Sequence, residues 1–439
     1  MSTPVTAAAV GFTAPSQPPA QPVAWSRLVW QRFRVRRPAR FGLYSLVTLY
    51  TLACLAPFLC NQKPFYWCTT SAAGTVEWAF PLWRDFFHPE NGIDFVFNAM
   101  ALFWALYGLT RLALLVPGLR GSRHTGWRKY AARTVGGLGV AAMFLWSMAT
   151  TYRLDSADYY GDHLALVTRD PAHTALFAPV AYGPTDQIVT EKLQAPGWWQ
   201  PLEKSAPGDT RTRWLGTDNL GRDLFARVLH GTRISLSVGF VSVGIALVIG
   251  LLFGALAGYY AGWIDLAICR FIEIVICIPT FFLILLVLAT VRNPGILWIM
   301  LILGLTGWPG IARLVRGEFL RLRTLDFVAA ARALGLSDRK IILNHILPNA
   351  LGPVYVAVSF GVAGAVLLET SLSFLGIGVQ PPTPSWGEAL HQAYAHIEQA
   401  WWLVLFPGIA ILTTVLSFNL VGDGLRDAFD PRTSGGGRD

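Results

Sequence analysis

Acidic residues, histidines and nucleophiles occur throughout this sequence, but their spacing matches none of the common catalytic or metal-binding patterns. No lysine directly follows a glycine, so the sequence has no Gly-x-x-x-x-Gly-Lys-Ser/Thr phosphate-binding loop. It also has no His-Glu-x-x-His zinc motif and no Gly-x-Ser-x-Gly nucleophile motif. His391 and His396 are five residues apart, a spacing that does not align two metal ligands on one helical face. We therefore predict that the chain is not an enzyme and that it binds no metal or other cofactor itself.

A few polar residues interrupt long apolar stretches and are the first candidates for a functional site. Arg270 and Glu273 are three residues apart, which allows an ion pair on one face of a helix, and a weak surface pair is the simpler interpretation. Pro279 predicts a kink in the same stretch. Glu369 lies within a later apolar stretch, where an ionisable residue is a functional hypothesis by default.

Four charged residues of alternating sign precede the fourth apolar stretch: Asp218, Arg222, Asp223 and Arg227. This pattern allows a local network of ion pairs that stiffens the segment. Asp218 and Asp223 are equally suited to the first turn of a helix, where carboxylates offset the helix dipole. The sequence leaves both interpretations open.

The segment from Asp326 to Asn349 predicts two short helices joined by a glycine. Residues 326–334 form an alanine-rich helix, and Gly335 suits the left-handed position that ends it. Ser337 is suited to cap a second helix, and Pro348 ends that helix or starts the next span. Surface helices of this kind either dock against another protein or lie on anionic lipid headgroups. Small alanine side chains would allow another protein to approach closely.

The elements that carry these residues are predicted to be membrane-spanning helices. Hydrophobic residues make up 53% of the 439 residues, charged residues only 14%, and the mean hydropathy is +0.45. This composition excludes a largely disordered chain, and 42 glycines with 27 prolines exclude a coiled coil. We predict an all-α integral membrane protein, a polytopic helix bundle with about eight transmembrane helices. The predicted spans are Phe41–Cys60, Phe95–Val116, Val135–Tyr152, Ile234–Tyr259, Ile272–Val291, Ile296–Leu314, Leu351–Ser373 and Trp401–Val421.

The distribution of arginine predicts the orientation of these spans. The net charge is +9, and arginines cluster before the first span, between the second and third spans, and between the sixth and seventh. By the positive-inside rule these segments and both termini are cytoplasmic, so the charge does not require a nucleic-acid partner. Cys60 and Cys68 follow the first span and would be able to pair if they face an oxidising compartment. We divide the chain into a disordered tail and basic cytoplasmic segment (1–40), three N-terminal spans (41–152), a periplasmic segment (153–230), a core of five spans (231–422) and a cytoplasmic tail (423–439).

The spacing Ala330-Ala331-x3-Gly335-x9-His345-x-Leu347-Pro348 resembles the EAA loop of permease subunits of ABC importers. We call residues 315–350 the EAA-like loop. In that family the loop forms a coupling helix that fits a groove on the ATPase subunit, and Ala329 stands here where the family has a glutamate. The residues to which the resemblance assigns ATPase coupling are Asp326, Ala330, Ala331, Gly335, Leu336, Ser337, Arg339, His345 and Pro348.

Further segments, in order along the chain, resemble oligopeptide and dipeptide permeases of this family. They are Trp214–Leu236, Gly258–Asp265 with Arg270, Glu273 and Pro279, Ser371–Gly387, and Phe418–Pro431. Three shorter segments are similar to Yej-type permeases, which serve peptides and microcin C: Asn61–Pro64, Phe80–Leu82 and Phe177–Pro179. The resemblance implies the type I ABC importer permease fold, with a six-helix core and two extra helices, the second and third predicted spans.

The resemblance also implies partners and a location. It implies a transport subunit of the bacterial inner membrane that works with a second permease subunit, in a heterodimer. Two ATP-binding subunits would hold ATP and Mg²⁺, and a periplasmic substrate-binding protein would deliver the cargo. Membrane lipid is the remaining expected partner, and no nucleic acid is expected.

The implied cargo is a peptide or peptide-like compound, with nickel and oligosaccharides as alternatives among relatives. Arg270, Glu273, Pro279 and Glu369 would then lie in the translocation pathway or at the interface with the partner permease. For Glu369 we favour the partner permease over the amino group of a peptide. Two alternatives come from other classes of protein: a non-transport scaffold that binds an ATPase, and a secondary transporter in which Glu369 couples an ion.

Overall fold

The structure is a computed structural model that describes residues 25–70, 76–87, 92–113, 173–197, 213–291 and 295–430, with the single positions 134 and 137. Apart from position 137, the predicted span Val135–Tyr152 lies outside these residues, as do the tail segments 1–24 and 431–439. The described part is predominantly helical. Its α-helices are α1 (Trp25–Val35), α2 (Arg37–Leu59), α3 (Pro81–Phe87), α4 (Gly92–Ala113), α5 (Leu224–Tyr260), α6 (Gly262–Cys277), α7 (Thr280–Thr290), α8 (Ile296–Leu322), α9 (Asp326–Ala333), α10 (Asp338–Lys340), α11 (Leu347–Phe374), α12 (Trp386–Tyr394) and α13 (Trp402–Phe429).

Five elements of the described residues are long and apolar enough to cross a membrane. They are α2, α5, α8, α13 and the continuous helical stretch Asp338–Phe374. Helix α6 with Thr280–Val287 of α7 is a sixth candidate, bent by 68° at the break between them. Helix α4, predicted as a span over Phe95–Val116, is apolar over the shorter stretch Gly92–Gly108. The described residues therefore hold five to six of the eight predicted spans, together with this shorter helix.

Two predicted spans differ from the structure. Ile272–Val291 is not a single helix: its first half belongs to α6, and the chain breaks before α7 at Pro279, which has no backbone N–H to continue the helix. The span predicted to begin at Ile234 begins at Leu224, so the predicted domain boundary between 230 and 231 falls inside α5. Hydropathy misses this start because the first turns carry arginines, which the fold buries.

A stripe of glycines holds α5 against α8. Gly250, Gly254 and Gly258 lie four residues apart, one above another on α5. A Cβ atom at Gly254 would lie 2.6 Å from the carbonyl oxygen of Ala312, and one at Gly250 would lie 2.8 Å from the side chain of Ile311. Only glycine permits this approach, which is the small-residue packing typical of membrane helices. The two helices consequently form a closely packed pair at the centre of the bundle.

The two described ends of the chain lie together beside α13. Phe33 of α1 and Ala428 of α13 belong to one buried apolar cluster, and the Arg32 guanidinium donates to the carbonyl oxygen of Asp430 at 3.4 Å. Helix α11 begins nearby, since a Cβ atom at Gly352 would lie 3.3 Å from the ring of Phe429. The N-terminal helix, the end of α13 and the start of α11 thus share one end of the bundle, as the predicted topology requires.

A small sheet at the opposite end corrects the all-α prediction. Strands β1 (Tyr66–Thr70), β2 (Val76–Ala79) and β3 (His173–Leu176) pair antiparallel in the order β2-β1-β3. Strand β3 belongs to the segment predicted as a separate periplasmic unit, and it pairs instead with the chain that follows α2. Cys60 and Cys68 are buried free thiols, and burial raises the pKa of the Cys60 thiol, which keeps it protonated and unreactive.

Candidate functional site

The EAA-like loop has the helix–glycine–helix structure predicted for it. Helix α9 starts at Asp326, and Gly335, with a φ of +73°, ends it in the left-handed conformation. The N–H of Gly335 donates to Arg332 at 2.9 Å and that of Leu336 to Ala331 at 3.2 Å, which is the hydrogen-bond pattern of a Schellman motif. The prediction for Gly335 is confirmed, because this conformation favours a residue without Cβ.

The second half of the loop runs straight into a membrane-spanning helix. Ser337 lies at the N-cap of α10, as predicted, but its hydroxyl makes no capping hydrogen bond there. Residues Ile341–Ile346 are π-helical, so His345 lies in a widened turn of a kind that often occurs at functional sites. Pro348 lies in the first turn of α11, where a missing N–H costs nothing, and this confirms that it starts the span.

Helix α9 presents two different faces. Val328 and Ala331 are buried in an apolar cluster with residues of α5, α8 and the π-helical turn. On the outside, Ala330 is exposed, Phe327 is 39% exposed and Leu334 is 80% exposed. Of the two alanines predicted for coupling, Ala330 is therefore available to another protein, whereas Ala331 packs inside this chain. The remaining predicted residues of the loop are exposed at Asp326, Gly335, Ser337, Arg339 and Pro348 and half-buried at Leu336 and His345.

A second site, at the other end of α5, is a cluster of buried charges. The Arg222 guanidinium donates to Asp218 at 2.6 Å, and Arg227 forms an ion pair with Glu388 of α12. Arg213 lies 3.6 Å from Asp223. We call these six residues the charged cluster, and each is at most 5% exposed. Arg213 also donates to Glu191, which lies at the edge of the cluster, at 2.9 Å.

The ion-pair interpretation of the charged residues in this segment is confirmed, and the helix-start interpretation is confirmed for Asp223 but not for Asp218. Asp223 is the N-cap of α5 and accepts from the N–H of Ala226 at 2.8 Å. Burial raises the pKa of the Asp223 carboxyl, while the N–H of Ala226 and the Arg213 guanidinium act in the opposite direction. Asp218 in turn accepts from Arg222 and lies 3.7 Å from Arg227. Sequence reasoning missed Arg213 and Glu388, because Glu388 lies 161 residues from Arg227 and local spacing cannot pair them.

Tryptophans join the elements around the charged cluster. The indole N–H of Trp386 in α12 donates to the carbonyl oxygen of Val228 at 3.0 Å. That of Trp402 in α13 donates to Thr217 at 3.1 Å. The bond of Trp386 connects two segments that resemble peptide permeases, Trp214–Leu236 and Ser371–Gly387, and the bond of Trp402 joins α13 to the first of them.

One further arginine, Arg233, was not predicted and connects α5 with α2 and α4. Its side chain is 1% exposed and donates to the carbonyl oxygen of Ala53 at 2.6 Å. That carbonyl lies four residues before Pro57, which has no N–H to offer it, so the guanidinium replaces the missing helical donor. Arg233 also binds Asp94 at 2.8 Å and Asn98 at 3.0 Å, both on α4. Helix α4, predicted as an extra helix without a known role, is thus bonded to the core.

The predicted pathway residues lie in three different settings. Arg270 and Glu273 form an exposed ion pair at 2.7 Å, as the simpler interpretation predicts. Pro279 lies at the break between α6 and α7. Glu369 is fully buried within this chain and accepts hydrogen bonds from Ser373 at 2.8 Å and Ser235 at 3.3 Å. The expectation that Glu369 faces a partner permease or a peptide does not agree with this burial, because its own serines occupy it.

Comparison with known proteins agrees with these features. Residues 250–435 match the family described as binding-protein-dependent transport system inner membrane component, and residues 24–71 match the N-terminal TM domain of oligopeptide transport permease C. A dipeptide transport system permease protein of Alkalihalophilus pseudofirmus is 42% identical over 51% of this chain and 74% of its own length. A glutathione transport system permease protein of Pectobacterium atrosepticum has the same identity and coverage. An oligopeptide transport system permease protein of Haemophilus influenzae is 41% identical over 58% of this chain and 78% of its own length.

The spans, the loop and these matches define the class of the protein, a multi-pass permease of the inner membrane. The chain belongs to the family of inner-membrane components of binding-protein-dependent transport systems, the permease subunits of ABC importers. It is a transport subunit and not itself an enzyme.

Proposed function

We propose that this chain translocates peptides or peptide-like solutes that a periplasmic binding protein delivers, and that two ATPase subunits drive it through the EAA-like loop. The cargo class follows from the dipeptide, oligopeptide and glutathione permeases to which the chain is similar. ATP and Mg²⁺ would be held by the ATPase subunits. A second permease subunit of similar fold would complete the pathway, as a heterodimer of type I permeases.

The observation that carries the coupling role is the outer face of α9. It presents alanines together with two exposed apolar side chains, Phe327, which is partly covered, and Leu334, which is largely uncovered. Exposed apolar groups on an otherwise polar loop are typical of a protein interface. Beneath them, Val328 and Ala331 anchor the helix to the bundle. A force on the outer face would therefore reach the membrane spans.

The orientation follows from the same proposal. If ATPases bind the EAA-like loop, that loop is cytoplasmic, and the adjacent chain termini are cytoplasmic with it. The charged cluster and the small sheet then face the periplasm, where the binding protein docks. The predicted span Val135–Tyr152 remains a prediction and would, with α4, extend the six-helix family core to eight helices.

The test compares two substitutions at Gly335 in the transporter reconstituted into proteoliposomes. Gly335→Pro fixes φ near −65° and removes the N–H that binds Arg332, so it deforms the loop without touching the spans. Gly335→Asn is the matched control, because asparagine tolerates the left-handed conformation and a Cβ atom there meets no neighbour. We expect tripeptide uptake and binding-protein-stimulated ATPase activity to collapse together in the proline variant and to persist in the asparagine variant. Unchanged uptake in the proline variant would refute coupling through this loop.

The cargo is tested in the same vesicles. We expect uptake of labelled di- and tripeptides, dependent on ATP, and no uptake of nickel or oligosaccharide. Uptake of either of those instead would reassign the cargo. ATP-independent uptake would favour a secondary transporter, and ATPase binding without any uptake would favour a scaffold.

A further inference from the structure

Tyr259, at the end of α5, is contacted by three residues of the EAA-like loop. Its hydroxyl donates to the carboxylate of Asp338 at 2.5 Å. The guanidinium of Arg332 lies over its ring, 5.4 Å from the centroid. Its carbonyl oxygen accepts from Arg323 at 3.1 Å. The side chain is only 5% exposed, so the loop holds this one tyrosine at its hydroxyl, its ring and its backbone.

The chain turns sharply just after Tyr259, at the end of α5. Ala261 has a φ of +54° and Gly262 a φ of +59°, and together they redirect the chain from α5 into α6. A positive φ at a residue with a Cβ is strained and is retained only where the surroundings enforce it. Immediately after the turn, Asp265 binds Arg316 of α8 through both carboxylate oxygens, one of them at 2.6 Å. The turn is thus held on one side by Tyr259 and on the other by α8.

Beyond this turn, α6 is only sparsely packed against the rest of the described chain. Helix α6 has one buried residue, Ile272, and it ends at the 68° break before α7. By contrast α5 and α8 are locked together by the glycine stripe. A displacement of the EAA-like loop would therefore move α6 and α7 more readily than it moves the α5–α8 pair.

We infer that Tyr259 is a positioning residue that transmits movement of the EAA-like loop to the α5–α6 turn and hence to α6 and α7. This inference rests on the proposed function, because it assumes that ATPase subunits move the loop. The hydroxyl transmits the movement, because it is bonded to Asp338 of α10, and the backbone of the same residue leads directly into the α5–α6 turn. A merely structural tyrosine would keep its role in packing when only this hydroxyl is removed.

Cys277 provides a readout of α6 that does not depend on the cargo. It is an exposed thiol at the last residue of α6, directly before the break, whereas Cys54, Cys60 and Cys68 are buried. The assembled transporter is labelled with N-ethylmaleimide without nucleotide and after trapping with ATP and vanadate. Mass spectrometry of the Cys277 peptide gives the labelling rate in each state.

The variants are Tyr259→Phe, Asp338→Asn, the double variant and Tyr260→Phe. Tyr260 is the matched control, because it is 46% exposed and stacks edge-on against the ring of Tyr259. In the wild type and in Tyr260→Phe we expect the labelling rate to differ between the two states. In Tyr259→Phe we expect that difference in labelling rate to fall about tenfold, because a tenfold change corresponds to the free energy of about one hydrogen bond to a charged group. Copurification of the ATPases should not change. Asp338→Asn keeps an acceptor oxygen for the hydroxyl, so its loss should be smaller, and the double variant should be no worse than Tyr259→Phe.

Several results would overturn the inference. It fails if Cys277 labelling in the wild type does not depend on nucleotide state, or if Tyr259→Phe matches Tyr260→Phe. It also fails if the two single effects add in the double variant, or if Tyr259→Phe loses bound ATPase in proportion to its loss of response. If Gly335→Pro abolishes uptake while Tyr259→Phe does nothing, the proposed function stands and only the role of Tyr259 is wrong. If Gly335→Pro also leaves uptake unchanged, the proposed function is what has failed.

Discussion

Replacing Glu388 by glutamine tests whether the charged cluster holds its end of the bundle together. Glu388 accepts from Arg227 and from the amide of Gln392, and Arg222 lies 3.7 Å away. Its side chain is 3% exposed, so water cannot replace a lost ionic contact. The substitution keeps the shape and one acceptor oxygen but removes the negative charge that lies beside Arg227 and Arg222.

The expected loss follows from the burial of this charge. Breaking a buried ion pair by removing one partner lowers the free energy of unfolding by about 3–5 kcal/mol, because the other charge stays buried and uncompensated. Since the glutamine oxygen can still accept from Arg227, we expect the lower end, about 3 kcal/mol. Equilibrium denaturant titration of the purified protein in detergent micelles measures this quantity. Glu398→Gln is the matched control, because Glu398 is exposed at the same end and should change stability by less than about 0.5 kcal/mol.

A charge-balanced double variant separates ionic from steric effects. Arg227→Gln combined with Glu388→Gln removes both charges of one ion pair, so neither is left unpaired, and the double loss should be smaller than the sum of the single losses by about 0.5–3 kcal/mol. Additive losses would show that the pair is not coupled. A Glu388→Gln variant as stable as Glu398→Gln would refute the reasoning altogether.

Two further predictions concern helix packing. Gly254→Val places a side chain against the backbone of α8 and should prevent the protein from folding. Gly244→Val on the same helix should be tolerated, because an added Cβ there meets no neighbour within 4 Å. Size-exclusion chromatography in detergent distinguishes the two variants. Arg233→Met leaves Asp94 and a buried carbonyl oxygen without their donor and should lower the free energy of unfolding by about 3 kcal/mol. Adding Pro57→Ala restores a helical N–H to that carbonyl and should recover about 1 kcal/mol in the same titration. No recovery would contradict the role assigned to Arg233.

Features set by neighbouring residues were predictable from the sequence. Gly335 was placed in a left-handed helix end, and Pro348 at the start of a span, because both preferences arise from the backbone of the residue itself. Most spans were found because an apolar stretch of sufficient length is a local property. The ion pair of Arg270 with Glu273 is likewise local, since one helical turn brings the two side chains together.

Features set by distant partners were not predictable. Hydropathy placed the start of α5 too late, since it counts Arg227 and Arg233 as polar and cannot see Glu388 or Asp94 beside them. Glu369 was misjudged for the same reason, because the sequence does not show which distant residues lie beside it. Its interpretation as an interface residue does not hold, since Ser235 and Ser373 of its own chain bond to it.

Helix α5 connects the two sites, and this arrangement restricts how the protein can move. Arg227 and Tyr259 are 32 residues apart on one helix, about 48 Å along its axis. Because the glycine stripe locks α5 to α8 and the charged cluster fixes its first turns, we expect the pair to move as a rigid body. Relative movement is then concentrated where α5 gives way to α6 and where α6 gives way to α7. Both points have an irregular backbone, a positive φ at Ala261 and a proline at position 279, so the chain bends there without breaking the packing of its core.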